Sequence, residues 1–221
     1  MDNITEYIID KNVEHSKWIS LQRIYYKQDG ISKSWDMAIS NDSVCCLLYH
    51  PKKQCFLLVK QFRPPVFARQ LVESTDPSAI LKPRLSFELC AGLLDKAGKS
   101  PIETMQAEIL EECGYDVPLQ VIQPINSYFG SVAKNYAMQY LFYAEIVEDG
   151  DADKISKKVN NGGGLASEGE MIEVVELPIF KAKEFMMDES IVRSSVLLFG
   201  ISWWFLEKAT PQQYEMYYKN K

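Results

Sequence analysis

The chain has 221 residues, 47% of them apolar, enough to bury one full core with room for a small appended element. Acidic residues outnumber basic ones by 30 to 24, and this balance argues against nucleic acid as a partner, because a phosphate backbone needs a basic footprint. The five cysteines, Cys45, Cys46, Cys55, Cys90 and Cys113, are odd in number and form no C-x-x-C pair, which fits a reduced, cytoplasmic setting. The longest apolar run, 196–206, is too short to span a bilayer and reads as a buried helix, and the first six residues carry no secretory signal.

In chain order, residues 17–27 and 32–39 flank Asp29-Gly30 and predict a hairpin able to pack apart from the main sheet. Aliphatic runs at 44–50 and 55–62, joined through Pro51-Lys52-Lys53, predict a second hairpin in a buried sheet. A Pro-bearing stretch at 64–84 crosses to a strand at 85–90. Strands near 121–129 and 136–147 follow, then a segment at 148–166, rich in Asp, Lys, Asn and Gly, with the character of a mobile loop. A strand at 171–177 and helices near 180–187 and 191–208 complete the domain.

Between these elements, residues 100–115 read as one short helix. Ser100 is placed to cap it, Pro101 suits the first helical position, Glu103 completes a capping box and Gly114 ends the helix in a left-handed turn. Glu108, Glu111 and Glu112 fall at i, i+3 and i+4, on one face, with no Lys, Arg or His inside the helix to neutralise them. Clustered carboxylates without His or Cys at ligand spacing suit a hard cation such as Mg²⁺, which normally also holds substrate phosphates. A solvated acidic face is the alternative reading.

The pattern from Gly92 through Ala107-Glu108-Ile109-Leu110-Glu111-Glu112-Cys113-Gly114-Tyr115 resembles the signature of the Nudix hydrolases. The chain departs from it by carrying Ala107 where the family has Arg and Gly98 or Lys99 where it has a glutamate. The spacing from Gly92 to Glu108 is also one residue longer. Further segments, among them Ser34-Trp35-Asp36, Leu57-Leu58-Val59-Lys60-Gln61-Phe62-Arg63-Pro64, Glu88-Leu89-Cys90-Ala91-Gly92-Leu93 and Gly162-Gly163-Gly164-Leu165, resemble the animal UDP-sugar diphosphatase branch of that family.

The resemblance implies an α/β fold, a Nudix-type α/β/α sandwich with a mixed sheet. An N-terminal β element at 1–40 would mediate a homodimer, and the hydrolase domain would span 41–221. It implies Mg²⁺, with Mn²⁺ as substitute, held by Glu108, Glu111, Glu112 and the carbonyl of Ala91. Glu111 also counts among the catalytic groups, and Glu168 or Glu170, after the glycine triplet, would act as base or additional ligand. Arg63 at a strand end can clamp a phosphate bidentately, or pair structurally with Glu88; with Glu88 and Trp35 it makes up the expected substrate-binding set. The implied reaction cleaves the pyrophosphate of a nucleotide sugar, UDP-glucose giving UMP and glucose 1-phosphate, with no nucleic acid and no membrane involved. ADP-ribose or ADP-sugar hydrolysis, and a catalytically silent Nudix binding module, are the alternatives.

Overall fold

Two adjacent strands with apolar residues on both faces form the centre of the fold. On β3 (Ser43–His50), Cys45, Leu47 and Tyr49 point into one cluster while Val44, Cys46 and Leu48 point into another. On β4 (Cys55–Gln61), Phe56 and Leu58 join the first, and Cys55, Leu57 and Val59 the second. Period-two alternation sends successive side chains to opposite faces, so a strand buried on both sides reads as a continuous apolar run. Each fully buried leucine here contributes roughly 1.5–3 kcal/mol relative to exposure. The computed structural model describes residues 4, 6–10, 13–73 and 83–219, without the side chains of Glu168, Tyr218 and Lys219.

Around these strands a mixed sheet of eight runs in the order β12-β5-β4-β3-β9-β8, with β11 also pairing with β4 and β6 with β3. Its further members are β5 (Ser86–Glu88), β6 (Cys90–Leu93), β8 (Gln123–Phe129), β9 (Met138–Glu145), β11 (Ile172–Pro178) and β12 (Val192–Arg193). β3 and β9 are parallel, whereas β3 pairs antiparallel with β4 and β6. One face is covered by α3 (Ala182–Met187) and α4 (Ser195–Glu207) through Phe185, Leu197, Ile201, Trp204 and Phe205. The other is covered by α2 (Pro101–Glu108) and the turn after it, through Met105, Ile109 and Cys113. This is the α/β/α sandwich expected. Among the described residues no helix is long and apolar enough to cross a membrane.

The N-terminal hairpin forms as predicted. β1 (Ser20–Gln28) pairs with β2 (Ile31–Ile39) across Asp29 and Gly30, both at positive φ, as a two-residue turn of this hand requires. It is tied to the sandwich through residues 131–136, where the Ala38 N–H donates to the Lys134 carbonyl and Asn135 Nδ2 to Ser40 Oγ.

Four readings differ from the structure. The crossing stretch contains a helix, α1 (Pro64–Glu73), begun by a proline whose missing N–H is harmless in a first turn; residues 74–82 lie outside the described residues. The strand at 85–90 is two strands, split at Leu89, because β5 bonds to β4 and β6 to β3. A last helix, α5 (Pro211–Lys219), follows Thr210, whose Oγ1 accepts from the Gln213 N–H while Gln213 Oε1 accepts from the Thr210 N–H. That capping box was present in Thr210-Pro211-Gln212-Gln213 and passed over.

The fourth concerns the segment at 148–166. It is pinned rather than free: β10 (Lys157–Lys158) pairs with β7 (Tyr115–Asp116), and the N–H groups of Gly163 and Gly164 donate to the carbonyls of Glu112 and Glu111 at 3.0 and 3.1 Å. The loop thereby satisfies carbonyls that a helix end leaves without partners. The glycines serve close approach more than motion. A Cβ on Gly162, at φ +70°, would overlap the Glu112 carbonyl, whereas one on Gly98, at φ +84°, would meet nothing. Gly98→Ala should therefore cost only the left-handed backbone penalty, about 1–2 kcal/mol, and Gly162→Ala distinctly more. Urea titration of both variants checks this, and equal losses would contradict it.

Candidate active site

The site is assembled where β6 meets α2. Ser100 caps the helix as predicted, accepting from the Glu103 N–H while Glu103 accepts from the Ser100 N–H at 2.8 Å. The helix does not continue as α to its end. Ile109–Cys113 winds as a π turn closed by Gly114 at φ +74°. Within this turn Glu112 faces β6. Such turns frequently mark functional sites. The three acids are graded accordingly, with side chains 25% exposed at Glu111, 12% at Glu108 and, for the whole residue, 3% at Glu112.

The three carboxylates differ in their surroundings. Glu112 Oε2 accepts the Ala91 N–H at 2.9 Å, so β6 holds the most buried acid by its backbone. Glu108 lies over Gly92, where any Cβ would overlap its carboxyl group. Glu111 and Glu108 share Lys96, whose Nζ is 3.4 Å and 3.8 Å from their Oε1 atoms. Lys96 comes from the loop before the helix, so the neutralising charge missing within 101–114 is supplied from outside it.

Burial dominates the electrostatics. It pushes the Glu112 carboxyl up to about 8, against the Ala91 N–H and Cys90 thiol that hold it down, with Glu108 and Glu170 adding to the rise. Glu108 is pushed up to about 7, first by burial and then by Glu111, with Lys96 opposing. Two desolvated carboxylates side by side, both reluctant to ionise, form a donor set that suits a hard divalent cation. Among the described residues, however, no three acid, His or Cys side chains already converge into a ligand cage.

The other expected site residues are placed as follows. Glu170 Oε2 accepts the Leu165 N–H at 2.9 Å and lies against Gly164, and its charge is felt by Glu108, Glu112 and Arg63. Glu168 ends the short 3₁₀ turn Ala166–Glu168, and its side chain lies outside what is described. Arg63 pairs bidentately with Glu88 through Nε and Nη2, at 2.9 and 2.7 Å, with the charges of Glu112 and Glu170 in range. The structure thus gathers Ala91, Glu108, Glu111, Glu112, Glu170, Arg63 and Glu88. Trp35 makes its contact elsewhere, its Nε1 donating to the Ala133 carbonyl at 2.8 Å on the hairpin side. Sequence reasoning missed Lys96, although an unpaired acid stripe preceded by a lysine-bearing loop was the signal for it.

A raised carboxyl pKa in the fold means that the folded chain binds more protons than the unfolded one, so stability contributed at low pH is lost as pH rises. Without added metal, the melting temperature should fall as pH climbs from the ordinary glutamate value of 4.5 through about 8. Glu112→Gln should flatten that fall. A differential scanning calorimetry series from about pH 5 to about pH 9, which spans that window, checks both; a slope unchanged by the substitution would contradict the assignment.

No family model matches the chain. Curated relatives do. The uridine diphosphate glucose pyrophosphatase NUDT14 of Bos taurus is 36% identical over 197 residues, covering 82% of this chain and 86% of the relative. The protein of the same name from Mus musculus is 32% identical over 206 residues, 86% and 90% of the two chains. The GDP-mannose pyrophosphatase of Pectobacterium atrosepticum is 31% identical over 191 residues, 83% and 86%. With these relatives matching most of its length, the sandwich fold and the acidic helix facing a glycine-bearing strand, the chain belongs to the Nudix family of hydrolases acting on acid anhydrides.

Proposed function

We propose that the protein hydrolyses the pyrophosphate bond of nucleoside diphosphate sugars in a Mg²⁺-dependent reaction, UDP-glucose giving UMP and glucose 1-phosphate. The observation that carries the reading is the buried carboxylate pair Glu108 and Glu112 facing β6, joined to two relatives named for UDP-glucose at 32% and 36% identity. A second reading, a guanosine diphosphate sugar as substrate, is favoured by the GDP-mannose pyrophosphatase at 31%.

Glu108, Glu111, Glu112 and the Ala91 carbonyl would hold the cation. When bound, Mg²⁺, or Mn²⁺ in its place, draws charge from the pyrophosphate oxygens and lowers the pKa of a bound water. Arg63 is oriented by Glu88 through Nε and Nη2, and its Nη1 group would donate to a phosphate oxygen. Glu170, fixed by the Leu165 N–H, or Glu168 takes the proton of the attacking water. Glu111, the most exposed of the three clustered acids, shares the cluster and would complete the catalytic set.

Hydrolysis is read directly from nucleoside monophosphate release in a panel of UDP-glucose, GDP-mannose, ADP-glucose and ADP-ribose. UDP-glucose should turn over fastest, and no release from any of the four with Mg²⁺ present would leave a silent binding module. Glu112→Gln should keep the fold and lose at least about 100-fold in turnover, since metal charge stabilisation is worth several kcal/mol and each ~1.4 kcal/mol is tenfold in rate. Activity within a few-fold of the parent at saturating Mg²⁺ would contradict it. For the base, the Gln variant of Glu168 or Glu170 should lower kcat with KM nearly unchanged, because its interaction is made mainly in the transition state. Parent rates from both would remove the loop from the chemistry.

The protein acts, in this reading, as a cytoplasmic homodimer built on the hairpin. Leu21 is 79% exposed and Tyr25 75%, and Trp18, Ile19, Ile24, Ile31 and Trp35 are exposed with them. An isolated ribbon of two strands is marginal in water, and contiguous apolar surface marks an interaction site. Among the described residues β1 pairs only with β2. The unpaired edge of β1 in a second copy offers a self-complementary, two-fold partner for it. Trp35 would then help line a substrate pocket shared between subunits. Light scattering at micromolar concentration should report the dimer; an active monomer would overturn it.

A further inference from the structure

Lys96 stands between two of the helix acids, its Nζ 3.8 Å from Glu108 Oε1 and 3.4 and 3.5 Å from the two carboxylate oxygens of Glu111. We propose that Lys96 is an internal counter-ion that holds the acid face together until a divalent cation displaces it, so that Lys96 sets the metal affinity of this chain. The inference rests on the reading of Glu108, Glu111 and Glu112 as cation ligands given above.

Three observations carry it. First, the helix itself carries no Lys, Arg or His between Pro101 and Gly114, and Ala107 stands directly before Glu108, so positive charge must come from another element. Lys96 supplies it. Second, the ammonium sits on the oxygens that a cation needs. Mg²⁺ binds oxygen at about 2.0–2.1 Å in near-octahedral geometry, and an ammonium in contact with the same carboxylates blocks that approach and repels the incoming charge. Consistent with this, the described acids form no ready ligand cage. Third, Lys96 is able to leave. Its side chain is 36% exposed, and the short turn that carries it, closed by the Lys99 N–H on the Lys96 carbonyl, contains Gly98 at φ +84° in open space. A flexible four-carbon stem lets a strongly hydrated ammonium swing out into water.

The exchange is a trade of one charge for two. While Lys96 is seated, Glu108 and Glu111 are partly neutralised. Once a divalent cation takes the oxygens, the ammonium is expelled by like charge.

The test is a Mn²⁺ titration by isothermal calorimetry on the full chain, comparing the parent with Lys96→Met and Lys96→Arg, together with melting temperatures in EDTA. Lys96→Met should bind Mn²⁺ roughly tenfold more tightly, the scale on which groups contacting metal ligands tune affinity, and should melt lower in EDTA. Lys96→Arg, which keeps the charge, should stay near the parent in both. Equal or weaker Mn²⁺ binding by Lys96→Met would overturn the exchange while leaving the carboxylates as ligands. No Mn²⁺ binding by any of the three chains would overturn the ligand assignment and the exchange with it.

Discussion

Like charge brought together out of water is the constraint around which the site is organised. Glu108 and Glu112 are desolvated beside each other, with Glu111 and Glu170 close enough to be felt. Burying an unpaired carboxylate costs free energy that a stable fold has no reason to spend. The structure distributes the burden among the Ala91 N–H on Glu112, the Lys96 ammonium on Glu108 and Glu111, and the proton that both buried acids tend to retain. Groups perturbed in this way by burial and by specific neighbours cluster at functional sites.

The rest of the molecule holds that arrangement still. β3, filled on both faces, pairs with β6 and so fixes Ala91 and Gly92 against α2. Gly92 leaves the volume that Glu108 occupies. The loop carrying Glu170 is bonded to the carbonyls of Glu111 and Glu112 themselves, so the proposed base and the proposed ligands share one backbone frame. Loss of any one support displaces its neighbours, because the acids are held by three different elements rather than by the helix alone.

How much of this was legible in the sequence depended on the range of the interaction. Local chemistry was readable: the capping box of Ser100 and Glu103, the Asp29-Gly30 turn, the buried helix at 196–206 and the two-faced strands at 44–50 and 55–62 all stand as expected. The i, i+3, i+4 spacing of Glu108, Glu111 and Glu112 marked the acid face, and the family resemblance carried the fold class. Long-range placement was not readable. The π turn at Ile109–Cys113 has no local sequence mark, and the split of 85–90 follows from two different pairing partners. Lys96 reaches the helix through a loop whose path only the fold defines. The segment holding the glycine triplet read as a mobile loop because glycine permits both motion and close approach, and only the carbonyls of Glu111 and Glu112 decide between them.

The most direct measurement is the count of protons released when Mg²⁺ is added to the metal-free protein at pH 7, from calorimetry in buffers of different ionisation enthalpy. A cation taking the place of the protons on Glu108 and Glu112 must expel them, so roughly one proton should leave per ion bound. Binding heats that do not depend on the buffer would mean that these carboxylates are already ionised without metal or are not its ligands, and either would contradict the account.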